Sequence, residues 1–204
     1  MKTRLKALLR TLSVSLALVA VPALGSGCSP AWVVVKQAAP NPFNAASEFS
    51  IEPISYDGLR VGEKTEADYL ADKEPAKQEA WRTDLVQVNQ SFQEALLKNT
   101  TGLKIAAGPA AAPGPFVLKP HVTWAEPGLY AAVYNKPSAM DLSVQIADAQ
   151  GAIVDEFKAH VVVPIQTVMN VPTNPSVTDR FKECGQKLGT IAARYLKTRT
   201  APAK

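Results

Sequence analysis

The chain has few of the side chains on which hydrolytic or metal chemistry is built: two histidines and two cysteines in 204 residues. It lacks H-E-x-x-H, C-x-x-C, a phosphate-cradling glycine loop and a G-x-S-x-G elbow, and "DAQGAIVD" lacks the alternating oxygen ligands of a calcium loop. A serine or cysteine nucleophile needs a positioned base, usually histidine. Zinc needs three or four ligands. His121 alternates with Lys119 and Thr123, and His160 with Glu156 and Lys158, which places both on polar strand faces as ordinary solvated side chains. The reading is therefore of no enzyme, with no catalytic residue, no metal ligand and no cofactor assigned. Two cysteines are also too few for a disulfide framework.

A long apolar run is lacking as well. The uncharged segment from Thr11 to Pro30 includes Pro22, Pro30, Gly25, Gly27 and four serines, whereas a retained spanning helix needs about 20 predominantly apolar residues. What stands there is a leader. Lys2, Arg4, Lys6 and Arg10 precede the charge-free "LSVSLALVAVPAL", the layout of a signal peptide over residues 1–27.

Two cleavages compete at its end. Gly27 and Ser26 directly before Cys28 resemble the box of a bacterial lipoprotein signal, in which the cysteine thiol receives diacylglycerol and the mature chain carries palmitate or a similar acyl group. Gly25 stands where that family usually has leucine. The rival is a cut after Ala23-Leu24-Gly25, leaving Cys28 unmodified and a bridge to Cys184 open. Cys184 itself falls on an apolar helical stripe, as a small buried hydrophobe.

No charge of one sign is in excess once the leader is set aside. The formal +4 resides in its four basic residues, and from Cys28 onward Lys and Arg equal the 18 Asp and Glu. A basic isoelectric point is thus no argument for nucleic acid, and none is expected as a partner. Locally, residues 48–94 hold eleven acids and five bases, while residues 180–204 hold one acid and seven bases. The basic end suits the negative terminus of a helix.

Residues 28–204 are the length of one domain. Residues 28–47 read as a lipid-anchored tether with one β-prone run, Trp32 to Val35, and a turn-rich "APNPFNAAS"; residues 48–199 read as the domain and 200–204 as a disordered tail. In "EFSIEPISY" a strand breaks at Pro53, near an edge. Thr65 with Asp68 resembles a capping box for a short turn. Trp81, Leu85, Val88, Phe92 and Leu96 place a helix over residues 76–98, with Lys77, Asp84, Gln87 and Glu94 on its solvent side.

After a short candidate strand at Leu103 to Ala106 comes a loop of alanine, glycine and proline. In "FVLKPHVTW", Phe116, Leu118, Val122 and Trp124 share one face, and Pro120 argues against a central position. The clearest hairpin is "DLSVQIADAQGAIVDEFKAHVVV", turning at Asp148 to Gly151; Asp155 falls on its apolar side, which predicts fraying or a bulge. A last helix is capped by Asn174, with Pro175 at its first position, and buries Val177, Phe181, Cys184, Leu188, Ile191 and Tyr195. Gly185 and Gly189 suit close approach to the sheet.

These elements define an α+β single domain, a mostly antiparallel sheet of four to five strands with two main helices on one face. The order of elements, the "VQIADAQGAIVDEF" hairpin and the carboxyl-terminal helix resemble the small bacterial envelope lipoproteins related to the TolB amino-terminal domain, the curli-secretion-channel lipoproteins and the penicillin-binding-protein activators. That resemblance implies a noncatalytic, membrane-tethered protein of the cell envelope that acts through an envelope protein partner or in assembly. Ser29 beside the anchor is compatible with outer-membrane sorting, facing the periplasm. "TWAEPGLYAAVYNKPSAM" supplies a candidate interaction surface in Trp124, Tyr130 and Tyr134, for a protein partner or a sugar of the cell wall. The alternative is a soluble periplasmic or secreted binding module for a small ligand or cell-wall glycan.

Overall fold

The structure, a computed structural model, describes residues 31–201 except 45, 109–113, 132–133, 166, 169–170 and 173–175. The leader, Cys28 and the last three residues fall outside that range. The described chain runs β1 (Trp32–Gln37), β2 (Glu48–Ile51), β3 (Arg60–Val61), β4 (Lys64–Thr65), α1 (Glu66–Ala71), α2 (Pro75–Asn99), β5 (Lys104–Ala107) and β6 (Phe116–Glu126). It continues through β7 (Leu129–Ala131), β8 (Tyr134–Lys136), β9 (Ser138–Asp148), β10 (Ile153–Val163), β11 (Thr167–Val168), β12 (Val171–Pro172) and α3 (Val177–Thr200). Eight strands form one sheet in the order β1-β10-β9-β6-β2-β5, with β3 on β6 and β4 on β3. β7–β8 and β11–β12 are separate hairpins. No helix among the described residues is long and apolar enough to cross a membrane.

The expected α+β class stands, with more strands and a third helix, and with a mixed sheet. The β1, β10, β9 and β6 ladder is antiparallel, whereas β2 pairs in parallel with both β5 and β6. β2 is therefore near an edge, as expected, one strand in from β5. Pro120, by contrast, sits in central strand β6, opposite Val144 of β9. Its missing donor is tolerated because β2 has ended by then. Glu52 N donates to Leu118 O, Ser55 N to Pro120 O, and the chain between them swings off to let Ile54 N bond Asn89. Pro53 and Pro120 share one gap in the ladder.

The core lies between one sheet face and α2 with α3. Leu118, Val122, Leu142, Val144, Ile146 and Phe157 from the sheet meet Trp81, Val88, Phe92, Phe181, Leu188 and Leu196 from the helices. The helices run in parallel, since Asp84 meets Thr178, Val88 meets Gly185 and Phe92 meets Gly189. The two glycines thus face α2, not the sheet: a Cβ on Gly185 would lie 2.5 Å from Val88 O and one on Gly189 2.2 Å from Phe92 O. Asp84, expected in solvent, is 7% exposed and accepts from Thr178 Oγ1 at 2.5 Å. Burial pushes its carboxyl up and that hydrogen bond pulls it back.

Capping follows the sequence at α1, where Thr65 accepts from Asp68 N. At α3 the cap is Ser176, accepting from Asp179 N, rather than Asn174, because the side-chain oxygen three residues before a free N–H belongs to Ser176. Cys184 is buried and unpaired, and burial pushes its thiol up to about 12.

Part of the segment read as a tether belongs to the folded body. Trp32 packs edge-on against Tyr195 with ring centroids 5.9 Å apart, Phe43 is fully buried, and Asn41 Nδ2 donates to Arg199 O at 2.7 Å. The bulge expected near Asp155 lies between Ile153 and Asp155. The carboxylate is nonetheless fully buried, because it has partners: Arg199 Nε at 2.7 Å, Tyr195 Oη at 2.7 Å and Ala38 N at 2.9 Å.

Candidate functional site

The helices cover one face of the sheet, and the opposite face carries the polar half of each strand's alternation. Lys158, His160 and Val162 of β10 are exposed there, beside Lys119 and His121 of β6. Ser143 and Gln145 donate to Glu156 at 3.0 and 3.1 Å, a satisfied network. His121 Nε2 lies 2.8 Å from Asp57 O, and Lys119 pairs with Glu52 at 3.8 Å.

One cluster on this face stands apart, in a shallow recess of 430 Å³ walled by Arg60, Gly62, Glu63, Trp124, Asp141 and His160. Strict alternation puts Trp124 on the core side with Val122. A bulge between Val122 and Trp124 gives the inward position to Ala125 and turns the indole outward, as bulges re-aim side chains. Trp124 Nε1 donates to Gly62 O at 2.9 Å, which fixes the ring, and its centroid lies 6.3 Å from that of His160 with a 31° tilt. His160 Nδ1 lies 2.6 Å from Asp141 Oδ1. Arg60 Nη2 donates to Glu63 O at 2.9 Å. A held aromatic ring flanked by a carboxylate, an imidazole and a guanidinium can stack on a flat ligand or partner side chain and hydrogen-bond its rim.

Of the three residues singled out in sequence, the structure brings only Trp124 into this recess. Tyr130 and Tyr134 belong to the β7–β8 hairpin, pairing with Asn135 and Ala131 along its backbone, and their side chains lie outside what is described. The irregular connection expected over residues 123–140 is instead strand, hairpin, strand. Its base is held by Arg180, 1% exposed, whose Nε donates to Ser138 Oγ at 2.8 Å; Ser138 Oγ in turn donates to Pro127 O at 2.6 Å. Gly128 at φ +76° completes the turn, where a Cβ would meet Lys136 O at 2.6 Å. Arg60, Asp141, His160 and Arg180 were not singled out as site residues, since the elements that unite them are remote in sequence; the only local signal is the polar half of the alternation.

A longer groove of 740 Å³ runs between the end of β10 and the outer side of α3, with Val161, Val162, Lys182, Gln186, Thr190 and Arg194 in its walls and Ala31 beside them. Among the described residues no group of three His, Cys, Asp or Glu side chains is placed to hold a metal ion.

The class defined is an α+β sandwich of two layers with one sheet face open. No protein-family model matches the sequence, and no curated protein matches it. Solved structures similar in outline are the PelC dodecamer from Paraburkholderia phytofirmans (10% identity over 78% of this chain and 96% of that one, TM-score 0.41) and protein XCC0632 from Xanthomonas campestris, family-model DUF330 (13% identity over 81% and 91%, TM-score 0.41).

Proposed function

We propose that the protein is a noncatalytic component of the bacterial cell envelope, anchored by lipid on Cys28, that works by presenting its open sheet face to another envelope protein. The observation that carries this reading is the junction of leader and fold. Three residues separate the only cysteine near the leader's end from a strand of the main sheet, so a modified Cys28 would hold a folded body at the bilayer. The leader, the resemblance of the hairpin and last helix to small envelope lipoproteins, and a recess that holds an indole outward among polar side chains support it. Destination at the outer membrane, on the periplasmic side, rests on Ser29.

Intact mass and radiolabelled palmitate on the mature protein, native against Cys28→Ala, test the anchor. The native chain is expected to carry acyl groups and fractionate with membranes, and the variant to be unlabelled and soluble. A bare Cys28 thiol, or a chain beginning at Ser26, would replace this reading with a soluble binding module that uses the same recess. For the partner, crosslinking in cells is expected to recover an envelope protein with the native recess and not with Trp124→Ala.

A further inference from the structure

We propose that β1 is a self-pairing edge: a second copy of this chain lays its own β1 antiparallel to the first, about a two-fold axis through Val33, and the two sheets become one. Among the described residues β1 is an outer strand, paired with β10 alone. Val33 is 69% exposed, Val34 44% and Val35 52%, so three of the seven large apolar side chains exposed among the described residues follow one another here. An outer strand carries a row of unpaired N–H and C=O groups, and proteins defend such edges with prolines, charges, bulges or short length. The outer strand on the other side, β5, has four residues and an exposed Lys104. β1 has six residues and no proline, and its one charge, Lys36, is turned back to donate to Ile153 O of β10 at 2.5 Å. Trp32 to Val35 is left uncharged along the edge.

The register follows from the faces. Trp32 and Val34 lie opposite Ala159 and Phe157 on the face that the helices cover, and Val33 lies opposite the exposed Lys158 on the open face. The bulge between Val34 and Lys36 comes after this regular stretch. An axis through Val33, perpendicular to the sheet, keeps every side chain beside neighbours of its own face: Val33 meets Val33 of the second copy, and Trp32 meets Val34 twice over. Aromatic and β-branched side chains are the pairs that such ladders favour. Charge does not oppose the pairing. Lys36 falls beyond the paired residues, and the two Lys158 side chains stand three strand spacings apart, roughly 14 Å, farther than charges act at physiological salt. The contact is small against the about 1,200 Å² or more that a stable interface buries, so the pairing is weak and rises with concentration, as it does where one membrane holds both copies. The pairing stands without the anchor on Cys28; its use rests on the function proposed above. Because the axis is perpendicular to the sheet, both open faces look the same way, and one partner meets two Trp124 recesses at once.

The test uses the chain from residue 28 with Cys28→Ala, so that acylation plays no part; Cys184, buried with its thiol pushed up to about 12, stays reduced. Val33→Cys is compared with Val86→Cys, an exposed position on α2. Under mild oxidation at equal concentration, Val33→Cys is expected to form a disulfide-linked dimer severalfold faster, since only that position faces itself across the axis. Equal rates would overturn the pairing. In sedimentation, the Cys28→Ala chain is expected to show a monomer–dimer equilibrium as its concentration rises, and Val33→Lys to shift it severalfold toward monomer with a nearly unchanged urea midpoint, because the side chain is exposed. A monomer at every concentration up to the solubility limit, or a dimer that Val33→Lys leaves intact, would also overturn it. With Cys28→Ala in every arm, a failed pairing and a failed anchor give different results.

Discussion

Asp155 occupies a position where alternation along β10 calls for an apolar side chain. A buried carboxylate costs several kcal/mol unless paired and hydrogen-bonded, and here Arg199, Tyr195 and Ala38 N supply what water would have given. Removing it leaves the Arg199 guanidinium, whose side chain is 11% exposed, without its counter-charge. Asp155→Ala is expected to destabilise the protein by about 3–5 kcal/mol, measured by urea unfolding. The misfit was visible in sequence, and so was the bulge that relieves it. The partners were not, because Ala38 is 117 residues away and Arg199 is 44. Trp124 makes the converse point. Period two assigned it to the core, and a single extra residue in the strand moved it to the open face.

Between elements, α2 and α3 approach so closely that no Cβ fits at Gly185 or Gly189. Their apolar stripes were legible because each repeats at the helical period through four turns or more, and every residue of the two stripes is buried except the partly buried Val177. The small surface at Gly185 and Gly189 was legible as a close approach, but its object was not: a sheet and a helix both admit a backbone where a Cβ is missing. Alanine at Gly189 raises helix propensity by about 1 kcal/mol, yet its Cβ would sit 2.2 Å from Phe92 O, and a backbone carbonyl moves only if the helices part. Gly189→Ala is expected to lower the urea midpoint with an unchanged slope, a net loss on the order of 1 kcal/mol or more. A rise in the midpoint would show that the helices part freely.

At the scale of the whole molecule, the local hairpin β9–β10 could be read from the sequence, whereas the parallel pairs of β2 with β5 and β6 could not. A parallel partner is reached through a crossover, and α1 with α2 intervenes between β2 and β5. The entry strand was legible as a β-prone run, but its place in the sheet was not, since nothing near it in sequence pairs with it. A chain beginning at Ala38 is expected to keep its helices but to expose the backbone edge of β10, a template for association. Circular dichroism near that of the full chain, with concentration-dependent sedimentation, is the expected result; a monomer of unchanged stability would show that β1 contributes nothing.

Lys36 reaches across to Ile153 O over 117 positions. The strand synthesised first therefore finds its neighbour only once three quarters of the polypeptide has been made. If residues 1–27 are the leader proposed above, this sets an order of events in which the leader is recognised and removed while the adjoining segment is still extended, and the body closes around its own beginning last.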